Sequence, residues 1–338
     1  MNERETGGPS PDWDDELEDL EARLAGKAEP ASANLEWDEN FKAGFVAVIG
    51  RPNVGKSTLM NLLLGQKVAA VSPKPQTTRR QQLGILTTNE AQVIFIDTPG
   101  IHVPVHKLGE YMNEVALDTL GDADLILWVL DAGEPPREED RLIAERLNAL
   151  KDPPPVLLAL NKVDRLGAEE KELRRAAFEA LYPAGRSLWI SAAQGLGTVE
   201  LVQAVLEQIP QHPPYYDPDQ ITDYYERDIA GELVREAALL HLRDEVPHGI
   251  AVRIDEYTER GETGAYIAAT IFVERESQKA IVIGQKGEML KRIGTTARQQ
   301  IQEMSGRKVY LELRVKVNKN WRNNEDALRL MGYTTNKT

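Results

Sequence analysis

Residues 50–57 read Gly-Arg-Pro-Asn-Val-Gly-Lys-Ser and join an apolar run at 45–49 to an amphipathic stretch at 56–65. The spacing Gly-x-x-x-x-Gly-Lys-Ser/Thr forms a phosphate-binding loop (P-loop) when it follows a strand and opens a helix. Its glycines let backbone N–H groups turn toward the phosphates, and the positive end of the following helix adds to the attraction. Lys56 can reach the β- and γ-phosphates, and the Ser57 hydroxyl can bind Mg²⁺. The chain is therefore expected to build an α/β domain around this loop.

Short apolar runs alternate with amphipathic stretches through residues 43–210. The runs predict strands buried on both faces, and the stretches predict helices. This alternation is typical of βαβ units, so we expect a mixed, mostly parallel sheet with helices on both faces. The predicted strands are 45–49, 92–96, 124–130, 156–160 and 187–190, and the predicted helices are 56–65, 107–120, 137–149, 168–181 and 198–209.

A second, α+β domain is predicted after the proline-rich run at 210–214, where the pattern changes. At 338 residues the chain is long enough for two domains. The second domain should contain a helix at 226–243, paired strands at 248–257 and 264–274, a short helix, a loop at 284–287, a helix at 288–304 and a strand at 308–317. The predicted boundaries are an acidic extension at 1–42, a nucleotide-binding domain at 43–210, a linker at 211–225 and an α+β domain at 226–338.

The net charge of −14 is unevenly distributed. Residues 1–40 hold 13 acidic and 3 basic side chains, which predicts a disordered extension in which 14–24 could form a short helix. Residues 275–322 hold 12 basic and 4 acidic side chains, a patch that suits a nucleic acid. The chain has no cysteine, which excludes disulfides and thiolate metal sites and fits a reducing cytoplasm.

A carboxylate follows the predicted strand at 92–96, in the run Asp97-Thr-Pro-Gly100. A carboxylate at the end of a strand can hold Mg²⁺, and Gly100 lets a backbone N–H approach the γ-phosphate. Residues 75–80, Pro-Gln-Thr-Thr-Arg-Arg, lie between the first helix and the next strand. A threonine that binds Mg²⁺ only in the triphosphate state would make this segment a switch, with an ordinary solvated loop as the alternative. We favour Thr78 over Thr77 as that ligand.

The run Asn161-Lys-Val-Asp164 follows another predicted strand and indicates a base-specific contact. The Asp164 carboxylate can accept hydrogen bonds from guanine N1–H and from its 2-amino group, whereas adenine has neither donor there. Lys162 can lay its aliphatic stem along the base. A loop at 191–193 follows the next strand and could touch the base edge. The predicted guanine-binding residues are Asn161, Lys162, Asp164, Ser191, Ala192 and Ala193.

With these motifs in this order, the sequence resembles the Era family of ribosome-assembly GTPases over about residues 43–333. Further matching runs are Gln-Thr-Thr-Arg at 76–79, Val-Glu-Arg-Glu at 273–276, Ile-Gly-Gln-Lys-Gly at 283–287 and Leu-Arg-Val-Lys-Val at 313–317. The acidic extension departs from the shorter pattern of that family, so the resemblance says nothing about the role of this extension.

The resemblance implies that Lys56 binds phosphate, that Ser57 and Asp97 hold Mg²⁺, the latter through water, and that Asp164 binds guanine. It thus implies GTP or GDP and Mg²⁺ as cofactors. The predicted catalytic residues are Lys56, Asn53, Thr78 and Gly100, and the predicted metal ligands are Ser57, Thr78 and Asp97. The predicted phosphate-binding residues are Gly50, Arg51, Pro52, Asn53, Val54, Gly55, Lys56, Ser57, Thr58, Asp97, Thr98, Pro99 and Gly100.

Two residues near the phosphates bear on the rate of hydrolysis. Ile101 stands where many GTPases place a glutamine that orients the attacking water, so unassisted turnover should be slow, about 10⁻⁴–10⁻² s⁻¹. Asn53 resembles the asparagine of potassium-activated GTPases, and its amide oxygen could help to hold K⁺ against the phosphates. The alternative is that Asn53 only shapes the loop.

The run Gly284-Gln-Lys-Gly287 resembles the GXXG loop of a KH domain, which clamps a single strand of nucleic acid. The predicted RNA-binding residues are Gly284, Gln285, Lys286, Gly287, Lys279, Lys291 and Arg292. The family resemblance implies RNA near the 3′ end of the small-subunit ribosomal RNA, and a role in assembly of the 30S subunit. The alternative for this loop is a helix–turn–helix surface with a solvated basic face.

Two other functions fit parts of the sequence. A P-loop kinase or ATPase is disfavoured by the run at 161–164. A membrane-surface regulatory GTPase or scaffold is the main alternative, because a basic helical region also attracts anionic lipid. We expect a monomer in the cytoplasm, with at most a weak, peripheral association with the inner membrane.

Overall fold

The computed structural model of the protein describes residues 39–72, 74, 77–261 and 263–333. Almost all of the predicted acidic extension, with its candidate helix at 14–24, lies outside the described residues. The same is true of Pro75 and Gln76 in the predicted switch.

The first sheet has six strands in the order β2-β3-β1-β4-β5-β6. All neighbours are parallel except β2 and β3, which are antiparallel. The strands are β1 (Lys42–Ile49), β2 (Gln82–Thr87), β3 (Ala91–Asp97), β4 (Leu125–Asp131), β5 (Val156–Asn161) and β6 (Arg186–Trp189). The helices are α1 (Lys56–Leu63), α2 (Lys107–Asp118), α3 (Glu138–Asn148), α4 (Ala168–Glu179) and α5 (Thr198–Gln208).

Helices cover both faces of this sheet, because alternate residues of each strand point to opposite sides. Val46 of β1 lies in the core with α1 and α5, and its neighbour Ala47 lies in the core with α2, α3 and α4. Both residues are fully buried. The predicted fold of this domain is confirmed, with β2 as a strand that the apolar pattern did not indicate.

Residues 211–225, predicted as the linker, lie along the β2 side of this sheet. The Ile85 N–H donates to the Ile221 carbonyl, and the Leu83 N–H donates to the Asp223 carboxylate. The Gln92 side chain accepts from the N–H groups of Tyr215 and Tyr216. The segment therefore covers the edge strand, whose backbone would otherwise be open to pairing with another chain.

The second sheet has three strands in the order β7-β8-β9, with β7 antiparallel to β8 and β9 parallel to it. Three helices pack on one face of it around a shared apolar core. The strands are β7 (Ala251–Arg260), β8 (Gly264–Val273) and β9 (Lys308–Val317), and the helices are α6 (Glu226–His241), α7 (Glu276–Ile283) and α8 (Glu288–Ser305). The predicted α+β architecture is confirmed.

A short helix that the sequence did not predict, α9 (Glu325–Leu330), follows β9. It belongs to an apolar cluster that contains Leu108 and Met112 of α2 together with Trp321 and Leu328. This cluster joins the two domains. Within the part of the chain that the structure describes, no helix is long and apolar enough to cross a membrane.

Candidate functional site

The loop at 50–57 leaves the end of β1 and enters α1 through two glycines in the left-handed region, Gly50 (φ 147°) and Gly55 (φ 104°). A Cβ atom at Gly50 would overlap the Val129 carbonyl, and one at Gly55 would overlap the amide of Asn161. Both positions therefore need glycine for its conformation and for space. The loop is held tightly against the ends of β4 and β5.

The Lys56 side chain folds back over this loop. Its ammonium donates to the carbonyls of Gly50 (3.0 Å) and Arg51 (3.2 Å). Burial lowers the pKa of Lys56 to about 8, while the nearby Asp97 carboxylate acts in the opposite direction. A bound anion would favour the charged form further, so the site suits phosphate.

Three side-chain oxygens converge beside Lys56. The Ser57 hydroxyl lies 2.8 Å from Asp97 Oδ2 and 2.9 Å from Thr78 Oγ1, and Thr78 Oγ1 lies 3.2 Å from Asp97 Oδ2. Burial raises the pKa of Asp97, opposed by the Lys56 ammonium and by the two hydroxyls. Asp97 Oδ1 is buried and has no hydrogen-bond partner in the described structure. Oxygen ligands with one unpaired buried carboxylate oxygen suit a hard cation such as Mg²⁺.

The structure separates the two threonines of the predicted switch. The Thr78 hydroxyl faces Ser57 and Asp97, whereas the Thr77 hydroxyl donates to the Lys74 carbonyl (2.8 Å). Thr78 is therefore the threonine whose hydroxyl lies at the candidate metal site.

Gly100 lies against the loop backbone, since a Cβ atom there would be 2.6 Å from the Pro52 nitrogen. The following side chain, Ile101, is buried in the core formed with α2 and not directed at the phosphate side. Neither residue offers a side-chain group that could orient water. Slow unassisted hydrolysis therefore stays a prediction.

Two other residues of the predicted phosphate-binding set have side chains that bond elsewhere. The Arg51 guanidinium pairs with Asp140 (3.2 Å) and Glu134, and the Thr98 hydroxyl donates to the Val48 carbonyl (2.8 Å). These two side chains therefore form bonds outside the cleft. The backbone groups of the same residues can still contact a phosphate in the cleft. The cleft itself is lined by Pro52, Asn53, Gly55, Lys56, Ser57, Thr58, Ala70, Val71, Ser72, Thr77, Thr78 and Gly100.

Asn161 connects the phosphate loop to the candidate base-binding loops. Its buried amide donates to the Val54 carbonyl (2.7 Å) and accepts from the N–H groups of Lys162 (2.8 Å) and Ala192 (2.9 Å). The Asp164 carboxylate accepts from the Ser191 hydroxyl (2.6 Å), while Ala193 is exposed. The side chain of Asn161 thereby fixes three loops, and Ser191 orients the carboxylate expected to face the base.

The loop at 284–287 also depends on backbone conformation, with positive φ at Gly284, Lys286 and Gly287. A Cβ atom at Gly284 would be 2.7 Å from Met289 Cβ, whereas one at Gly287 would meet nothing within 4 Å. Open space at Gly287 leaves room for a nucleic-acid strand to approach the protein backbone. The loop lies at the surface between the end of α7 and the start of α8.

Basic and polar side chains surround this loop. Gln285, Lys286, Lys291 and Arg292 are exposed, and Lys279 is partly exposed. The sequence did not indicate Ile281 of α7, which is 49% exposed close to the loop. An exposed isoleucine beside cationic groups offers an apolar surface for a base.

Two family profiles match the chain: one described as "50S ribosome-binding GTPase" over residues 45–162, and one described as "KH domain" over residues 245–322. GTPase Era of Ruminiclostridium cellulolyticum is 45% identical to this chain over 298 residues, 88% of this chain and 99% of its own length. The chain belongs to the Era family of GTPases.

Other relatives and solved structures agree. GTPase Era of Caldicellulosiruptor saccharolyticus is 46% identical and covers 87% of this chain and 98% of its own. A crystal structure of Era in complex with MgGDPNP and nucleotides 1506-1542 of 16S ribosomal RNA superposes with a TM-score of 0.83 at 42% identity. A crystal structure of a point variant of Aquifex aeolicus Era bound to GDP.AlF4- gives the same TM-score and identity. Each covers 87% of this chain and 100% of its own. The family resemblance is confirmed, and this Era protein is a GTPase.

Sequence reasoning missed Asp131 in this Era protein. Its carboxylate accepts from the Lys162 ammonium (2.5 Å) and from the Gly133 N–H (3.1 Å), and the same ammonium donates to the Asn53 carbonyl (2.9 Å). Asp131 thus holds the Lys162 side chain in a position that links the base-binding loop to the phosphate loop. The sequence could have indicated Asp131, because it is the last residue of a buried strand adjacent to β1.

Proposed function

We propose that this chain is a GTP-hydrolysing switch that binds the 3′ region of small-subunit ribosomal RNA through its KH domain and assists assembly of the 30S subunit. The observation that carries the proposal is an exposed, basic GXXG loop in a domain whose Arg235 donates to the carbonyl of Thr77, the residue before Thr78. The complex of a 42%-identical Era with MgGDPNP and 16S ribosomal RNA supports it.

The geometry of the cleft supports a nucleotide role for each of these residues. Lys56 and the loop N–H groups would hold the phosphates, and Ser57, Thr78 and Asp97 would hold Mg²⁺, the last of them through water. Mg²⁺ supplies charge neutralisation for the β- and γ-phosphates. Asp164, oriented by the Ser191 hydroxyl, would select guanine.

The RNA role predicts a localised charge effect. Lys286→Ala should weaken binding of an oligomer of the small-subunit 3′ end about 5- to 10-fold and reduce the slope of log affinity against log salt by about 0.7, because one phosphate contact is lost. Fluorescence anisotropy measures both quantities, with the protein loaded with GDP or with a non-hydrolysable GTP analogue. We expect tighter binding in the GTP-analogue state.

Lys308→Ala is the matched control for that experiment. Lys308 is the exposed first residue of β9, just beyond the end of α8 that is distant from the loop, and α8 at 18 residues is about 27 Å long. It should leave the affinity nearly unchanged. An equal loss in both variants would show only general attraction by the basic patch, and no binding in either nucleotide state would contradict the RNA assignment.

We also propose that K⁺ activates hydrolysis. Asn53 lies at the exposed side of the loop with φ 64°, and its carbonyl is fixed by Lys162. A cation against the transferring phosphoryl group would stabilise the charge that develops there. Replacing Na⁺ with K⁺ should therefore raise kcat about tenfold, and Asn53→Ala should abolish the difference. An unchanged kcat in the wild-type protein would rule the proposal out.

We propose that the protein acts as a cytoplasmic monomer, since its proposed partner is a ribosomal subunit. The relatives described above do not support the membrane-surface alternative or a weak peripheral association with the inner membrane.

A further inference from the structure

The segment between α1 and β2, residues 67–80, carries Thr78 and passes beside α6 of the KH domain. We call it the switch segment. Glu236 of α6 is 3% exposed, and its carboxylate accepts from the Val71 N–H (3.0 Å) and from the Lys67 ammonium (2.7 Å). Gln300 of α8 donates to the same carboxylate (2.9 Å). The beginning of the switch segment is therefore attached to the KH domain by a buried charged group.

The end of the switch segment is attached to the same domain. Arg235, 1% exposed, pairs with Glu232 and donates to the carbonyl of Thr77, the residue bonded to Thr78. On the other side of Thr78, the equally buried Arg79 donates to the carbonyls of Ile250 (2.6 Å) and His248 (3.3 Å). Thr78 thus lies between two contacts with the KH domain.

These contacts are costly to break. A guanidinium buried in protein is tolerated only while its hydrogen bonds and counter-charge are kept, because an unpaired buried charge loses its hydration without compensation. Residues 77–80 form neither helix nor strand, so their position depends on such side-chain links.

We infer that Arg235 and Glu236 are positioning residues for the GTPase reaction, which hold the Thr78 hydroxyl at the Mg²⁺ site from the neighbouring domain. The inference rests on the proposed role of Thr78. It means that the KH domain completes the triphosphate-specific part of the nucleotide site. Docking of that domain and binding of GTP then favour each other, since coupling between sites is reciprocal.

The inference predicts a selective effect on the triphosphate state. Arg235→Ala in the full-length protein should weaken binding of a non-hydrolysable GTP analogue with Mg²⁺ about tenfold and leave GDP affinity within about twofold, because Thr78 serves only the former. The kcat for GTP should fall about tenfold as well. Titration with fluorescent nucleotides and a phosphate-release assay measure these quantities, without RNA.

Two comparisons separate positioning from general stability. Arg314→Ala removes an exposed arginine of the same domain, on β9, that pairs with Glu312 (2.7 Å), and should change neither the affinity ratio nor kcat. In a protein that already carries Thr78→Ala, Arg235→Ala should lower the affinity for the GTP analogue no further, because both substitutions remove the same interaction.

Glu236→Gln is the second variant if Arg235→Ala fails to fold. It keeps an acceptor for the Val71 N–H and loses the charge that pairs with Lys67, so a three- to fivefold selective loss of GTP-analogue affinity is expected. Equal losses for GDP and the analogue, or additive losses with Thr78→Ala, would overturn the inference. Because no RNA is present, failure of the proposed RNA binding would leave this result unchanged.

Discussion

Replacing Asp164 with asparagine is expected to lower the affinity for GDP about 100- to 1,000-fold, the cost of removing a charged acceptor from two guanine donors. The carboxylate is held by the Ser191 hydroxyl at 2.6 Å, so it cannot easily turn away. An asparagine amide would keep one acceptor and present N–H groups to the guanine 2-amino group. Titration of the protein with fluorescent GDP measures the loss.

Base selectivity provides the internal control for this substitution. Xanthosine diphosphate carries a carbonyl where guanine has the 2-amino group, so Asp164→Asn should bind it more tightly than the wild-type protein does. Ser191→Ala should weaken GDP binding only about fivefold and keep the preference for guanine, since it removes one neutral hydrogen bond to the carboxylate. If Asp164→Asn retained GDP affinity within threefold, guanine would be selected elsewhere.

The sequence placed the candidate nucleotide motifs at one edge of the sheet because each motif follows a buried strand. Parallel strands align their carboxyl ends at one edge of a sheet, so residues far apart in the chain meet there. Lys56, Asp97 and Asn161 follow or end β1, β3 and β5, and the structure brings all three regions together. Their roles toward the nucleotide stay predictions, as do the domain boundaries.

The antiparallel strand β2 escaped prediction for a physical reason. It is six residues long and contains Gly84, which weakens the strand pattern. A Cβ atom at Gly84 would be 2.6 Å from Leu64 Cδ1, so the glycine allows close packing against the end of α1. A requirement for space leaves no periodic signal in the sequence.

Long-range polar contacts were equally inaccessible. Arg235 reaches a carbonyl 158 positions earlier, and Arg51 pairs with a carboxylate 89 positions later. Neither of these sequence separations follows a periodic pattern, because the contacts depend on how helices and strands pack and not on local periodicity. The basic character of 275–322 predicted the RNA surface, yet it gave no indication that α6 would hold the switch segment.

Gly55→Ala is expected to weaken GDP binding about 100-fold or more, because the new methyl group meets a side chain that cannot yield. The Cβ atom would overlap Asn161 Nδ2, and that amide is buried and bonded to Val54, Lys162 and Ala192. Moving it would release the base-binding loops from the phosphate loop. Positive φ alone costs about 1–2 kcal/mol for alanine.

Gly261→Ala isolates the clash from the backbone cost. Gly261 also has positive φ (64°), but a Cβ atom there meets nothing within 4 Å. It should lower the free energy of unfolding by about 1–2 kcal/mol and leave GDP affinity unchanged. Fluorescent GDP titration and denaturant unfolding of both variants give the comparison. A GDP affinity for Gly55→Ala equal to that of Gly261→Ala would mean that Asn161 does not transmit the phosphate-loop geometry to the base-binding loops.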